Sequence, residues 1–187
     1  MTAAARRQVL IAAHPGFADF QILPCLYLLR DHVDVITAGP NRNALRTECG
    51  LNVVPDTSWD ELETPSFSLV LVAGALDMRG ACESPALLSL LQRCAVRGAV
   101  IGATSGGALV LHFAGLLAGH DYTTSIPSEG RNELGLDAAR YREQAVVVDR
   151  NLITAHGWAT LPFGIAAAER LGVDVGKRAT YLRGKSQ

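Results

Sequence analysis

Three short runs in this chain, Val9–Ala13 (VLIAA), Ser68–Ala73 (SLVLVA) and Ala99–Thr104 (AVIGAT), carry almost no polar side chains and are too short for helices. A strand with one wet face alternates polar and apolar residues. A strand that is apolar throughout has both faces covered, and the common way to cover both is a parallel sheet between two layers of helices. The intervening segments fit this. Asp19–Arg30 places Phe20, Leu23, Tyr27 and Leu28 near helical spacing, and Pro85–Val96 places Leu87, Leu88, Leu91 and Cys94 on one side. Val33–Ala38 is a further strand and Leu51–Val54 a shorter one. The expected fold is α/β with right-handed crossovers.

The later part of the chain follows the same logic. Ser105–Leu117 reads as an apolar helix buried on most sides. Ala145–Val148 and Leu152–Ala155 flank Asp149-Arg150-Asn151, the pattern of a hairpin. Leu161–Leu171 is the last clear helix, stopped by Gly172. Tyr122–Glu143 is the one long polar stretch, expected to hold short helices or to form a lid, and Asp174–Gln187 reads as a loose polar tail. No linker or repeat divides the 187 residues, so one domain over 1–187 is expected.

Composition excludes several classes. With 17 basic against 18 acidic residues the chain lacks the positive surplus of a nucleic-acid binder. No run approaches the roughly 20 apolar residues of a membrane span, and the apolar stretch after Arg6-Arg7 is too short for a secretory signal. A cytoplasmic location is expected, with no membrane partner. Cys25, Cys49, Cys82 and Cys94 show no CxxC spacing and do not cluster with histidine, so neither a metal nor any other cofactor is expected.

The densest signal is GATSGGALVL, Gly102–Leu111, where a buried strand runs straight into an apolar helix. Ser105 stands between Ala103 and Gly107 in a small-x-Ser-x-Gly pattern. Such a strand-to-helix turn lifts one side chain above the strand ends, and its crowded backbone demands small neighbours. Free N–H groups at the helix start face the same point. Ser105 is therefore either an elbow nucleophile or simply the N-cap of the helix.

With these residues the chain resembles the ThiJ/PfpI (DJ-one) superfamily, within the class I glutamine-amidotransferase-like fold. GFADFQ (Gly16–Gln21), GLNVVPDTSWDEL (Gly50–Leu62), LVLVAGAL (Leu69–Leu76), the elbow with its helix, and YREQAVVVDRNLITAHGWATLPFGIAAAERL match family segments in order. The resemblance implies a flavodoxin-like three-layer sandwich, a mostly parallel sheet with an elbow after a central strand, and a homodimer. It also implies a cysteine thiolate on the elbow, a glutamate beside it, and an oxyanion hole of backbone N–H groups from a Gly-Gly turn and from the residue after the elbow. A histidine often follows the elbow helix.

The departures from that pattern fall on the chemistry. The elbow reads Ser105, the glutamate position Gln21, the post-elbow histidine position Ser125, and the Gly-Gly turn Gly74-Ala75. A thiol titrates near 8.5 and is readily shifted to thiolate, whereas a serine hydroxyl needs a general base. Gln21 can hydrogen-bond Ser105 but cannot serve as that base. His156, directly after a strand, could approach Ser105 with Asp137 or Asp149 behind it in a Ser-Asp-His order, or simply line a cleft. His14 ends the first strand on the same rim and lines the pocket or serves a turn. Thr104, Gly74, Ala75, Gly106 and Ser125 complete the expected pocket. His112 reads as a buried, hydrogen-bonded histidine, and His120-Asp121 as a polar turn. Arg131, Arg140 and Arg142 are either an anion site or a solvated face. Cys49 is the thiol to test for redox reactivity.

Two functions follow. One is a small-molecule hydrolase or amidotransferase-like enzyme with Ser105 as nucleophile and Ala75 and Gly106 N–H at the oxyanion. The other is a catalytically diverged, stress-related or ligand-binding homodimer that keeps the scaffold without its chemistry.

Overall fold

The computed structural model describes residues 6–62 and 66–184. Nine strands lie in chain order: β1 Arg7–Ala12, β2 Val33–Gly39, β3 Leu45–Arg46, β4 Asn52–Val53, β5 Thr57–Ser58, β6 Leu69–Val72, β7 Val100–Thr104, β8 Val146–Asp149 and β9 Leu152–Ala155. Seven of them form one sheet in the order β5-β2-β1-β6-β7-β9-β8, and β3 pairs separately with β4. Within the large sheet only β8 runs antiparallel to its neighbour. The helices are α1 Asp19–Leu29, α2 Arg79–Cys82, α3 Pro85–Val96, α4 Gly107–Phe113, α5 Ser128–Glu133, α6 Thr160–Arg170 and α7 Gly176–Leu182.

The apolar runs are buried on both faces, as continuous hydrophobicity requires. Leu10, Val70, Val72, Ile101 and Ala103 point to the side where α3 and α4 bring Leu87, Leu90, Leu91 and Leu111. Val9, Ile11, Leu69, Leu71 and Ile153 point to the other side, against Ile22, Cys25 and Leu28 of α1 and Phe163 and Ala167 of α6. This is the mostly parallel three-layer arrangement expected. β7 lies near the centre of the sheet, so its C-terminal end, where the elbow begins, is flanked by strand ends on both sides.

Several local expectations change. In α1 the buried residues are Asp19, Gln21, Ile22, Cys25, Leu28 and Leu29, while Phe20 and Leu23 are exposed. Apolar residues surround this helix, so periodicity does not select a face. Close packing does: a Cβ on Gly164 of α6 would lie 2.8 Å from the Cys25 Cα, so the two helices meet where one has no side chain. In α3 Leu90 replaces Leu88 on the buried side. The elbow helix ends at Phe113, not Leu117, and Gly115 turns the chain at φ +72°.

The tail is not loose through residue 184. Val175 and Ala179 are buried, and Arg178 of α7 donates to the Leu28 carbonyl and pairs with Asp31. Its apolar contacts are too few to show as a pattern, and it holds by docking on the end of α1. The polar stretch carries α5 and a 3-10 turn at Ala138–Arg140.

Candidate functional site

Ser105 sits between β7 and α4 with φ +52°, one of two non-glycine residues at positive φ among those described. A side chain in the left-handed region costs about 1–2 kcal/mol, so the surroundings must hold it there. The Ser105 N–H donates to the Ala155 carbonyl at 2.8 Å, and the Thr124 hydroxyl donates to the Ser105 carbonyl at 2.7 Å. The small neighbours are required by contact. A Cβ on Gly107 would stand 2.3 Å from the Val72 carbonyl oxygen, and one on Gly74 would stand 2.9 Å from both the Gly106 nitrogen and the Ser105 Cβ. Helix α4 thus begins directly on the backbone of β6.

Gln21 reaches this turn from the first turn of α1 and is 6% exposed. Its Oε1 accepts from the Gly74 N–H at 3.1 Å and from the Thr104 hydroxyl at 2.7 Å. The Gly74 N–H can only donate, so the amide orientation is fixed and Nε2 points the other way. A Cβ on Gly157 would lie 2.8 Å from that Nε2 and 3.2 Å from Ser105 Oγ. The amide N–H₂ and the serine hydroxyl therefore face one small gap that Gly157 leaves open. No hydrogen bond joins them, contrary to the expected Gln21–Ser105 bond. Gly74 and Thr104 do not line the pocket with open donors, because both donors are taken up by Gln21.

The histidines lie elsewhere. His156 packs on exposed Trp158, ring centroids 5.7 Å apart at 20°, and makes no side-chain bond to Ser105. Asp149 is opposite Leu152, at the far end of the hairpin from His156, where it accepts from the Asp121 N–H and neighbours His120. Asp137 caps the 3-10 turn through the Ala139 N–H. Of the two alternatives for His156, the Ser-Asp-His relay is not assembled. The antiparallel return of β8 carries Asp149 away from the rim that β9 carries His156 toward.

His14 is buried rather than pocket-lining. Its Nε2 lies 3.0 Å from the Ala73 carbonyl, and burial pushes the imidazole down from its ordinary range, so it stays neutral and ties the end of β1 to the exit of β6. His112 is half-buried and has no hydrogen bond among the described residues, not the buried, bonded histidine expected. Arg140 and Arg142 pair with Asp121, and Arg131 covers the Tyr141 ring, so these arginines form no open anion site.

Above the elbow lies a cavity of about 800 Å³. Its walls include Leu76, Met78, Leu109, Phe113, Ile126 and Leu134, with Ser105, Gly106, Ala75 and Ser125 at the polar end. The Ser125 hydroxyl accepts from the Gly157 N–H at 2.8 Å, fixing the glycine beside the elbow. The N–H groups of Ala75 and Gly106 have no hydrogen-bond partner among the described residues. Both residues line the polar end of the cavity with Ser105.

The charged groups of the wall are Asp77, Arg79 and Glu83. Arg79 bonds to Asp77 and holds its carboxyl down at about 2. Among the described residues, no three His, Cys, Asp or Glu side chains cluster as a metal site, and no helix is long and apolar enough to cross a membrane.

Sequence reasoning missed Gly157, Thr124 and the apolar wall. Gly157 had a signal, since a glycine directly after the strand that ends beside the elbow marks a close approach. The wall residues come from α4 and from separate segments around Leu76, Ile126 and Leu134, and leave no pattern along the chain.

Comparisons with known proteins bear on the family and the fold. The DJ-1/PfpI family pattern matches residues 7–169. The chain is 29% identical over 169 residues to protein dj-1beta of Drosophila melanogaster, spanning 88% of this chain and 89% of that one. It is 25% identical over 145 residues to a Caenorhabditis elegans protein named glutathione-independent glyoxalase DJR-1.2, spanning 77% and 76%. A crystal structure of a DJ-1 superfamily protein from Agrobacterium tumefaciens superposes with a TM-score of 0.82 at 24% identity, covering 95% of this chain and 96% of that one. That last likeness speaks to the fold. With a family match over most of its length, an elbow at Ser105 and the parallel sheet beneath it, this chain belongs to the DJ-1/PfpI family.

Proposed function

We propose that this is a DJ-1/PfpI-family protein that binds a small molecule non-covalently at the elbow, with Ser105 acting as a hydrogen-bonding group and not as a nucleophile. The observation that carries the reading is the absence of a base: among the described residues no imidazole or carboxylate hydrogen-bonds Ser105 Oγ. His156 is stacked on Trp158, and the one acceptor oxygen of Gln21 is occupied. A neutral serine hydroxyl attacks slowly without such a partner. The worm relative's name specifies a glyoxalase. The family's thiolate and carboxylate chemistry has no counterpart in Ser105 and Gln21, so that activity is not part of this reading. The homodimer implied by the resemblance belongs to the proposal. Exposed Phe20 and Leu23 on α1 and exposed Leu51 and Val54 beside β4 offer apolar surface for it.

A second reading, a serine hydrolase or amidotransferase-like enzyme, is favoured by the strained elbow and the two free N–H groups, which would suit a tetrahedral oxyanion. A fluorophosphonate probe separates the two. The binding reading expects no adduct by intact-protein mass spectrometry. Stoichiometric labelling that disappears in Ser105→Ala would establish the hydrolase reading instead.

A further inference from the structure

Resting on the binding reading above, we propose that the ligand is an apolar monocarboxylate, its carboxylate held by the N–H groups of Ala75 and Gly106 and the Ser105 hydroxyl, with the neutral Gln21 amide behind that hydroxyl and the ligand's chain in the cavity. The polar end of the cavity is built of donors. Among the described residues the Ala75 and Gly106 N–H groups have no partner, and behind the cavity wall Gln21 Nε2 is an unpartnered donor on a side chain more than nine-tenths buried, facing the gap beside Ser105 Oγ. The Ser105 hydroxyl makes no hydrogen bond among the described residues, so its proton is free to turn toward the cavity, with the Gln21 amide donor across the gap that Gly157 leaves.

Two backbone N–H groups and a hydroxyl at one end of the cavity exceed the two lone pairs of a neutral carbonyl oxygen, whereas a carboxylate offers two oxygens and about four lone-pair sites. Charge-assisted bonds of this kind are roughly twice as strong as neutral ones. A glutamate at position 21 would set a second negative charge against such a ligand. The amide removes that charge and puts a donor in its place.

The rest of the site selects the tail. Leu76, Met78, Leu109, Phe113, Ile126 and Leu134 give an apolar wall without a free cation, because Arg79 is tied to Asp77. Glu83 is exposed, so water screens it. A cavity of about 800 Å³ accommodates an alkyl or aryl chain of several carbons beyond the carboxylate.

The test is calorimetric titration of the full chain with octanoate and with octanamide, its neutral counterpart of the same length, in the wild type, Gln21→Glu and Gln21→Met. The wild type should bind octanoate at least about tenfold more tightly than octanamide. Gln21→Glu should lower octanoate affinity by about tenfold or more while moving octanamide by less than about threefold, and Gln21→Met, which removes the donor without adding charge, should fall between. Leu109→Trp, which fills the cavity, should abolish binding of both and so locate it. Equal binding of the two probes, or an unchanged octanoate affinity in Gln21→Glu, overturns the carboxylate assignment and leaves the binding reading intact. Octanoate binding that survives Leu109→Trp lies at another site and overturns it too. Failure of both probes also overturns it, and a thermal-shift screen of neutral carbonyl compounds against wild type and Leu109→Trp then decides the binding reading separately.

Discussion

Replacing Gly107 with alanine tests the contact on which the elbow is built. Outside tertiary structure this change would help the chain, since alanine exceeds glycine in a helix by up to about 1 kcal/mol. Gly107 has no positive φ, so its backbone accepts a side chain without conformational strain. The obstacle is contact. The added Cβ would stand 2.3 Å from the Val72 carbonyl oxygen, 3.1 Å from the Val72 carbonyl carbon and 3.3 Å from that of Ala73. These are backbone atoms of the β6 strand and its exit, held between β1 and β7, and they have no rotamer with which to yield. Helix α4 must lift by roughly 1 Å to reach an ordinary carbon–oxygen separation. Overpacking costs about 1–3 kcal/mol where side chains can adjust and more where they cannot. Set against the propensity gain, the net loss is about 2 kcal/mol or more. In a chain of this size that lowers the melting temperature by about 4–8 °C. The assay is thermal and urea unfolding, with Gly80→Ala as control. Gly80 lies in α2 with nothing near its missing Cβ, so its alanine should be neutral or slightly stabilising. A Gly107→Ala protein that melts at or above the wild type would refute the close contact between α4 and β6, and with it the rigid elbow.

Two further outcomes follow from the thiols and the carboxylates. In the native state an aromatic disulfide reagent should titrate one fast thiol, Cys49, because burial pushes Cys25 up to about 12 and Cys82 and Cys94 to about 11. The Asp19 carboxylate beside Cys49 raises its thiol as well, so Asp19→Asn should accelerate that reaction, and a fast phase of two or more thiols would contradict the burial. On the acid side, bonds from Arg42, the Ser58 N–H and Thr57 hold Glu61 down at about 2 against an ordinary 4.5. A depressed carboxylate stabilises the fold above its unfolded pKa and loses that contribution as pH falls through the folded value. Urea midpoints should therefore drop between about pH 4.5 and 2, and Glu61→Gln should flatten part of that slope. A Glu61→Gln profile parallel to the wild type would show that the pairing contributes nothing.

The layers of this protein were legible because burial writes itself into local sequence. A strand covered on both faces must be apolar throughout, and β1, β6 and β7 show this without reference to any neighbour. The Gly102–Leu111 segment also announced its turn, since only small residues tolerate a strand running into a helix against another strand's backbone. What proved illegible was any choice among equivalent surfaces. Helix α1 is apolar around most of its circumference, and Gly164, some 140 residues later, decides that Cys25 and not Leu23 faces inward. The α7 tail likewise depends on where α1 ends.

The chemistry divides the same way. Sequence alone determined that an oxygen stands where a sulfur would be expected, with an amide beside it in place of a carboxyl, since these are identities and need no geometry. Tertiary structure decided what those identities mean. The direction of β8 separates Asp149 from His156, the Gly74 N–H fixes which end of Gln21 faces the serine, and α4 with the segments around Leu76, Ile126 and Leu134 closes the cavity wall. Each is a relation between segments distant in the chain, set by packing energy summed over the whole core, and no local window contains it.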